Sequence, residues 1–123
     1  MNARRTALVA LSLGLALPAN AVPSTPTGSI SVAQVVDLIQ RSPTDNAARN
    51  AAMAYLAGLG ETTGLLVAEA RRRGVAGVSC AKPLGISSAA ALAALSRTDK
   101  GKWSKTAATP LLVDDMLSRA GCR

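Results

Sequence analysis

From Ala47 to Gly74 the chain repeats its apolar residues with the period of an α-helix, and no other stretch is long enough to compete as the organising element. At roughly 100° per residue, Ala48, Ala52, Tyr55, Leu56, Leu59, Thr63, Leu66, Val67 and Ala70 fall in one arc of about 120°, with Asn50, Ala57, Glu61 and Arg72 opposite. Thr44 or Asp45 stands where an N-cap is needed, Glu69 and Arg73 are spaced for an i,i+4 ion pair, and Gly74 is placed to end the helix in a left-handed turn. Arg71, Arg72 and Arg73 occupy the last turn, where the helix dipole favours cations. Arg49 and Glu61 bracket an uncharged run of 11 residues, well short of the roughly 20 that cross a bilayer, so the stretch reads as the core helix of a soluble domain.

The first residues have the three-part layout of a secretory signal peptide. Arg4 and Arg5 give a basic start, Ala7 to Leu17 is apolar, and Ala19-Asn20-Ala21 fits the small-residue cleavage rule. Residues 1–21 are therefore expected to be removed on export to the periplasm, with the mature chain starting near Val22. What remains is about 102 residues, one small domain. It carries 12 basic against 7 acidic side chains, a net charge of +5, which favours acidic partners. Nucleic acid is a poor partner for an exported chain with two aromatic residues, which offer almost no platform for stacking bases.

Residues 22–30 (VPSTPTGSI), with two prolines and a glycine, predict an irregular leader, and residues 31–123 a single helical domain. Ser31 and Gln34 form a capping box ahead of a helix from about Val32 to Arg41, whose Val32, Val35, Val36 and Ile39 share one face. Ser42-Pro43 stops it. After Gly74, the segment 75–85 reads as a loop. Ser87 or Ser88 then caps an Ala-rich helix from Ala89 to Arg97 that packs through Ala91, Leu92 and Leu95. The last helix runs to Ala120, with Thr109-Pro110 as N-cap and first helical residue. Its Leu112, Val113, Met116, Leu117 and Ala120 are predicted inside, and Asp114, Asp115 and Ser118 in water. The sum is a compact all-α domain of four helices, one long and central, with no strand.

Cys80 and Cys122 are the only cysteines, and export would take them to an oxidising compartment, so a disulfide between them is the expectation. It would close a loop of about 43 residues and contribute about 4 kcal/mol in the chain-entropy picture. The sequence holds no histidine, which removes Ser-His-Asp and Cys-His catalysis and most transition-metal sites. The seven carboxylates form no paired arrangement legible in the sequence; Asp114 and Asp115 are neighbours whose side chains diverge by about 100°. An enzyme is disfavoured, no cofactor is expected, and binding is the better class. Two surfaces are candidates for it: the Arg71, Arg72, Arg73 run, and the Lys100, Lys102, Trp103, Lys105 segment, where the only Trp sits among lysines. Trp103 reads equally well as an interface anchor and as a small core's closing residue. Gly60 and Gly64 form a GxxxG at helical spacing, which suggests close packing inside the fold.

Tyr55-Leu56-Ala57-Gly58, Cys80-Ala81-Lys82-Pro83, the apolar final helix and the terminal Cys122 together resemble the Tai/Rap type of type VI secretion immunity proteins, over roughly Val32 to Cys122. The resemblance implies a compact all-α periplasmic domain with Cys80 joined to Cys122. It also implies a function: binding a cognate effector, a peptidoglycan amidase delivered to the periplasm, and blocking its substrate groove. A homodimer is a further option. The alternative is a periplasmic stress chaperone or envelope housekeeping protein of the same helical type; with no histidine, its acid trigger would fall to the carboxylates.

Overall fold

The computed structural model of the protein describes residues 22–123; the expected signal peptide lies outside them. Four α-helices follow in order: α1 (Val32–Arg41), α2 (Asn46–Arg72), α3 (Ser88–Leu95) and α4 (Ala108–Ala120), with a single 3-10 turn at Lys100–Lys102. Among the described residues there is no strand beyond an isolated antiparallel bridge between Ser31 and Ala107. The domain is all-α, and a disulfide joins Cys80 to Cys122.

The first three helices begin where a side chain offers a cap. In α1, Ser31 accepts from Gln34 N–H while the Gln34 side chain accepts from Ser31 N–H at 2.9 Å, completing the capping box. Asp45, not Thr44, caps α2 through Ala48 N–H, and Ser87 caps α3 through Ala90 N–H. The last helix departs from expectation. It starts at Ala108, with Ala107 in the N-cap place and no side-chain cap, and Pro110 falls at the third helical position. Its lead-in is fixed by backbone instead: Ala108 N–H donates to Ile30 C=O and Val32 N–H to Thr106 C=O, both at 2.9 Å. Thr109, released from capping, hydrogen-bonds the Tyr55 hydroxyl at 2.8 Å and so ties α2 to α4.

The 22–30 segment is irregular, as its composition predicts, but it is fastened to the domain. Thr25 is buried and closes a turn with Ser29 and Gly28, and the fully buried Ser31 hydroxyl donates to Pro23 C=O at 2.8 Å.

The core is built by α1, which packs on α2 and α3, and by α4, which packs on α3 and α2. Val32, Val35, Val36, Ile39, Leu56, Leu95 and Leu112 fill it, with Ala52, Ala91, Ala94 and Ala108 between them. Alanine at the contacts lets helix axes approach closely, which suits a chain with no Phe and one Trp. Burial of the final helix follows the predicted face at Leu112, Met116 and Ala120, while Val113 and Leu117 are half-covered. Asp115 is the correction there: it is buried, because Arg119 at 2.7 Å and Arg97 at 3.2 Å bring two guanidinium groups to its carboxylate. Buried charge is tolerable only with such partners.

The other correction concerns α2. Its buried residues are Ala48, Ala52, Leu56, Gly60 and Thr63, and none lies beyond Thr63. Leu66, placed by its angle on the core face, is 66% exposed. The reason is length. At 1.5 Å per residue α2 is about 40 Å long, while its neighbours reach only about 12 to 20 Å, so its second half outruns them. By length and composition α2 is long and apolar enough to cross a membrane, with mean hydropathy 1.3 over 18 residues; here its first half spends that apolarity on the core.

Two outcomes follow. Ser31→Ala removes a cap and a buried hydroxyl together and is expected to lower unfolding free energy by about 1–2 kcal/mol in urea denaturation. Asp45 is held below the usual carboxylate range, chiefly by the Ala48 N–H bond, with Ala47 N–H and Arg41 assisting. A carboxyl depressed in the folded state contributes stability that is present above its unfolded pKa of about 4 and is lost as pH falls through the folded value. Asp45→Asn, which keeps a capping oxygen, should therefore flatten that part of the stability profile between about pH 5 and pH 2.

Candidate functional site

The loop after α2 does not swing free. It folds back along the helix, and its end is fixed to the end of α4. Ser79 and Arg123 exchange two backbone hydrogen bonds at 2.9 and 3.0 Å, and Ala81 and Lys82 N–H both donate to Ala120 C=O. Gly121 makes this possible. At φ 65° it closes α4 in a left-handed turn, with Gly121 N–H on Ser118 C=O and Cys122 N–H on Leu117 C=O, the Schellman arrangement. That turn carries Cys122 to Cys80.

Between the fastened loop and α2 lies a groove of about 750 Å³. Leu56, Ala57, Gly60, Glu61, Gly64, Val67, Ala68 and Arg71 line it from the helix; the 80–86 segment, including Lys82, Pro83 and Ile86, forms the opposite wall. The sequence places Ala57 and Glu61 on a face turned to water, and both are exposed, while also bordering the groove. A side chain at Gly60 would meet Gly85 Cα at 3.4 Å, so Gly60 serves close packing as predicted. Gly64 does not: nothing lies within 4 Å of where its Cβ would stand, and it is open floor. A smaller cavity of about 300 Å³ shares Lys82, Pro83 and Gly85 and adds Met116, Arg119 and Ala120.

The charges around the groove are unevenly committed. Arg72 and Arg73 both grip Glu69 at 2.6 Å, and Arg72 first, then Arg73, holds the Glu69 carboxyl below its ordinary range. Arg71, Lys82 and Glu61, all facing the groove, make no ion pair among the described residues. No cluster of His, Cys, Asp and Glu suited to a metal occurs among the described residues.

The structure separates the two surfaces suggested by sequence. Arg71 lines the groove, and Arg72 and Arg73 sit at the exposed end of α2. Lys100, Lys102 and Lys105 are exposed and border none of the described cavities. Trp103 turns inward: it is half-buried against the core, its indole N–H donates to Thr98 C=O at 2.9 Å, and its carbonyl accepts from Ala33 N–H. Lys100 Nζ lies 5.9 Å from the ring centroid, within cation–π range. The tip of α2 supplies what sequence reasoning passed over, namely Leu65 at 71% and Leu66 at 66% exposure, with Val75 beyond them. The signal was present in the mismatch between a long helix and three short ones.

Tyr55 is the one tyrosine, and burial pushes its hydroxyl above the ordinary range against the weaker, opposing bond to Thr109. It braces the root of α2 and faces no cavity described above.

Comparison of the chain with protein-family models, with curated proteins and with solved structures returns no match.

Gly64 on the groove floor and Gly121 at the end of α4 should respond oppositely to alanine. Gly121→Ala forces a Cβ into the left-handed region and should cost about 1–2 kcal/mol, whereas Gly64→Ala, in open space mid-helix, should raise stability by about 0.5–1 kcal/mol; thermal unfolding of both variants checks the pair.

Proposed function

We propose that this chain is a non-catalytic binding protein of the immunity type, which docks the protruding tip of α2 on an exported cell-wall amidase and blocks its substrate groove. The observation that carries the reading is the tip itself: Leu65 and Leu66 stand exposed on the distal half of α2, which is rooted in the core at its other end, with Arg72, Arg73 and the exposed Val75 just beyond them where the helix ends. Isolated exposed leucines are ordinary on a protein surface; a run of large apolar residues flanked by arginines at a projecting helix end has the make-up of an interface anchor. Arginine and apolar anchors suit an acidic rim around a cleft, in keeping with the basic balance of the chain.

Support also comes from the residues that resemble the Tai/Rap immunity type. Tyr55 bonds α2 to α4, and Cys80, which lines the groove, is bonded to Cys122. A disulfide suits an oxidising compartment such as the periplasm. The stress-chaperone alternative draws on no comparable feature.

The test is co-purification of the disulfide-intact protein with the product of the adjacent open reading frame, followed by peptidoglycan amidase assays. A complex with stoichiometric inhibition is expected. Leu65→Asp with Leu66→Asp should weaken it at least tenfold, about 1.4 kcal/mol or more, while leaving thermal stability unchanged because both positions are exposed. Absence of any complex, or full inhibition by the double variant, would overturn the proposal.

A further inference from the structure

The groove face of α2 is a different surface from the tip. Ala57, Glu61, Gly64, Ala68 and Arg71 fall within about 80° of the helix circumference, and Leu66 lies on the side opposite to them. We infer that the groove docks a short extended segment of another protein, with a basic residue at one end, small apolar residues in the middle and an acidic pair at the other end.

The wall of the groove calls for backbone. Leu84, Gly85 and Ile86 N–H and Pro83 and Leu84 C=O have no hydrogen-bond partner among the described residues; Gly85 C=O is taken by Arg119 at 3.4 Å. An extended peptide brings free N–H and C=O groups to such a run, as in strand addition. A helix has already spent its own backbone groups, and an apolar small molecule has none to offer.

The charges set the pattern of the segment. Glu61 stands next to the pinch where Gly60 meets Gly85, Arg71 lies at the far end of the groove, and Lys82 is on the wall upstream of the pinch. None of the three makes an ion pair among the described residues. Ten positions apart on one helix, Glu61 and Arg71 are separated by about 15 Å along its axis. An extended chain, at about 3.3 Å per residue, covers that distance in about four or five residues. A basic residue against Glu61 therefore puts an acidic pair within reach of Arg71 and Lys82. A wholly acidic segment would meet Glu61 as a like charge, and a neutral one would leave all three charges unpaired.

The floor admits a backbone. Nothing lies within 4 Å of where a Cβ on Gly64 would stand, and its neighbours on the floor include only the small Ala57 and Ala68. The groove volume of about 750 Å³ falls in the range of about 300–1,000 Å³ typical of ligand clefts. Because the ion pairs are exposed, binding should be modest in strength and weakened by salt.

The probe is the synthetic peptide acetyl-Lys-Ala-Val-Ala-Glu-Glu-amide, titrated into the isotope-labelled, disulfide-intact protein and followed by amide NMR. Expected are saturable shifts confined to residues 57–71 and 80–86, with the amides of Leu84, Gly85 and Ile86 slowed in hydrogen exchange. Glu61→Lys should weaken binding roughly tenfold, and a peptide with its Lys replaced by Glu should recover it on that variant. Gly64→Leu should abolish the shifts without lowering thermal stability, since the side chain fills open space. The inference is overturned by a peptide that shifts no groove amide at about 1 mM, by shifts that survive Gly64→Leu, or by a Glu61→Lys variant that still prefers the Lys peptide. No amidase is present in the titration, so its outcome is separate from that of the tip proposal.

Discussion

Helix N-termini leave backbone N–H groups without partners, and in this protein the start of α1 and the lead-in to α4 meet those needs at one buried junction. Around Ser31 and Ala107 the chain makes a two-residue bridge, a reciprocal capping box and a hydroxyl bond to Pro23 C=O, while Ala33 N–H finds Trp103 C=O. The relative position of α1 and α4 follows from these bonds, and the cleft they leave is what α2 and α3 fill. A domain with so few large side chains depends on this arrangement, because alanine contacts contribute little burial per residue and reward only close, well-registered helices.

Much of this was legible from the residues. The helix count, three of the caps, Gly74 as the end of α2, Ala120 as the end of α4 and the apolar face of α1 all follow from local rules that tertiary structure did not override. Where reading failed, long-range contacts decided the matter. Thr109 has a good capping side chain, yet the bridge to Ile30 had already positioned the start of α4 and Tyr55 claimed the hydroxyl. Asp115 reads as a surface residue until Arg97, from another element, arrives beside it. Leu66 has the right angle for the core and the wrong height. Helical angle is visible in one sequence; the length of the neighbours it must match is visible only when all helices are compared. The groove was hidden for the same kind of reason, since no local rule says where the 80–86 loop lies.

That loop also separates two tasks within one small chain. The apolar cluster draws on α1, α3, α4 and the first half of α2, with only Ile86 touching it from the loop. The groove wall is held by Ala120 C=O, by the Ser79 and Arg123 exchange and by the disulfide. Core and groove wall thus rest largely on different interactions and meet at Leu56 and Ile86, which belong to both.

The scarcity of aromatic residues has an optical consequence. Trp103 is the sole indole, set at the edge of the core with its N–H on Thr98, and Tyr55 the sole phenol, at the α2 to α4 contact. Both chromophores sit in the packed half of the molecule. Intrinsic emission therefore follows the helical core and is blind to events at the distal half of α2, where a dye placed by a new cysteine, beyond the two already bonded, would be the reporter.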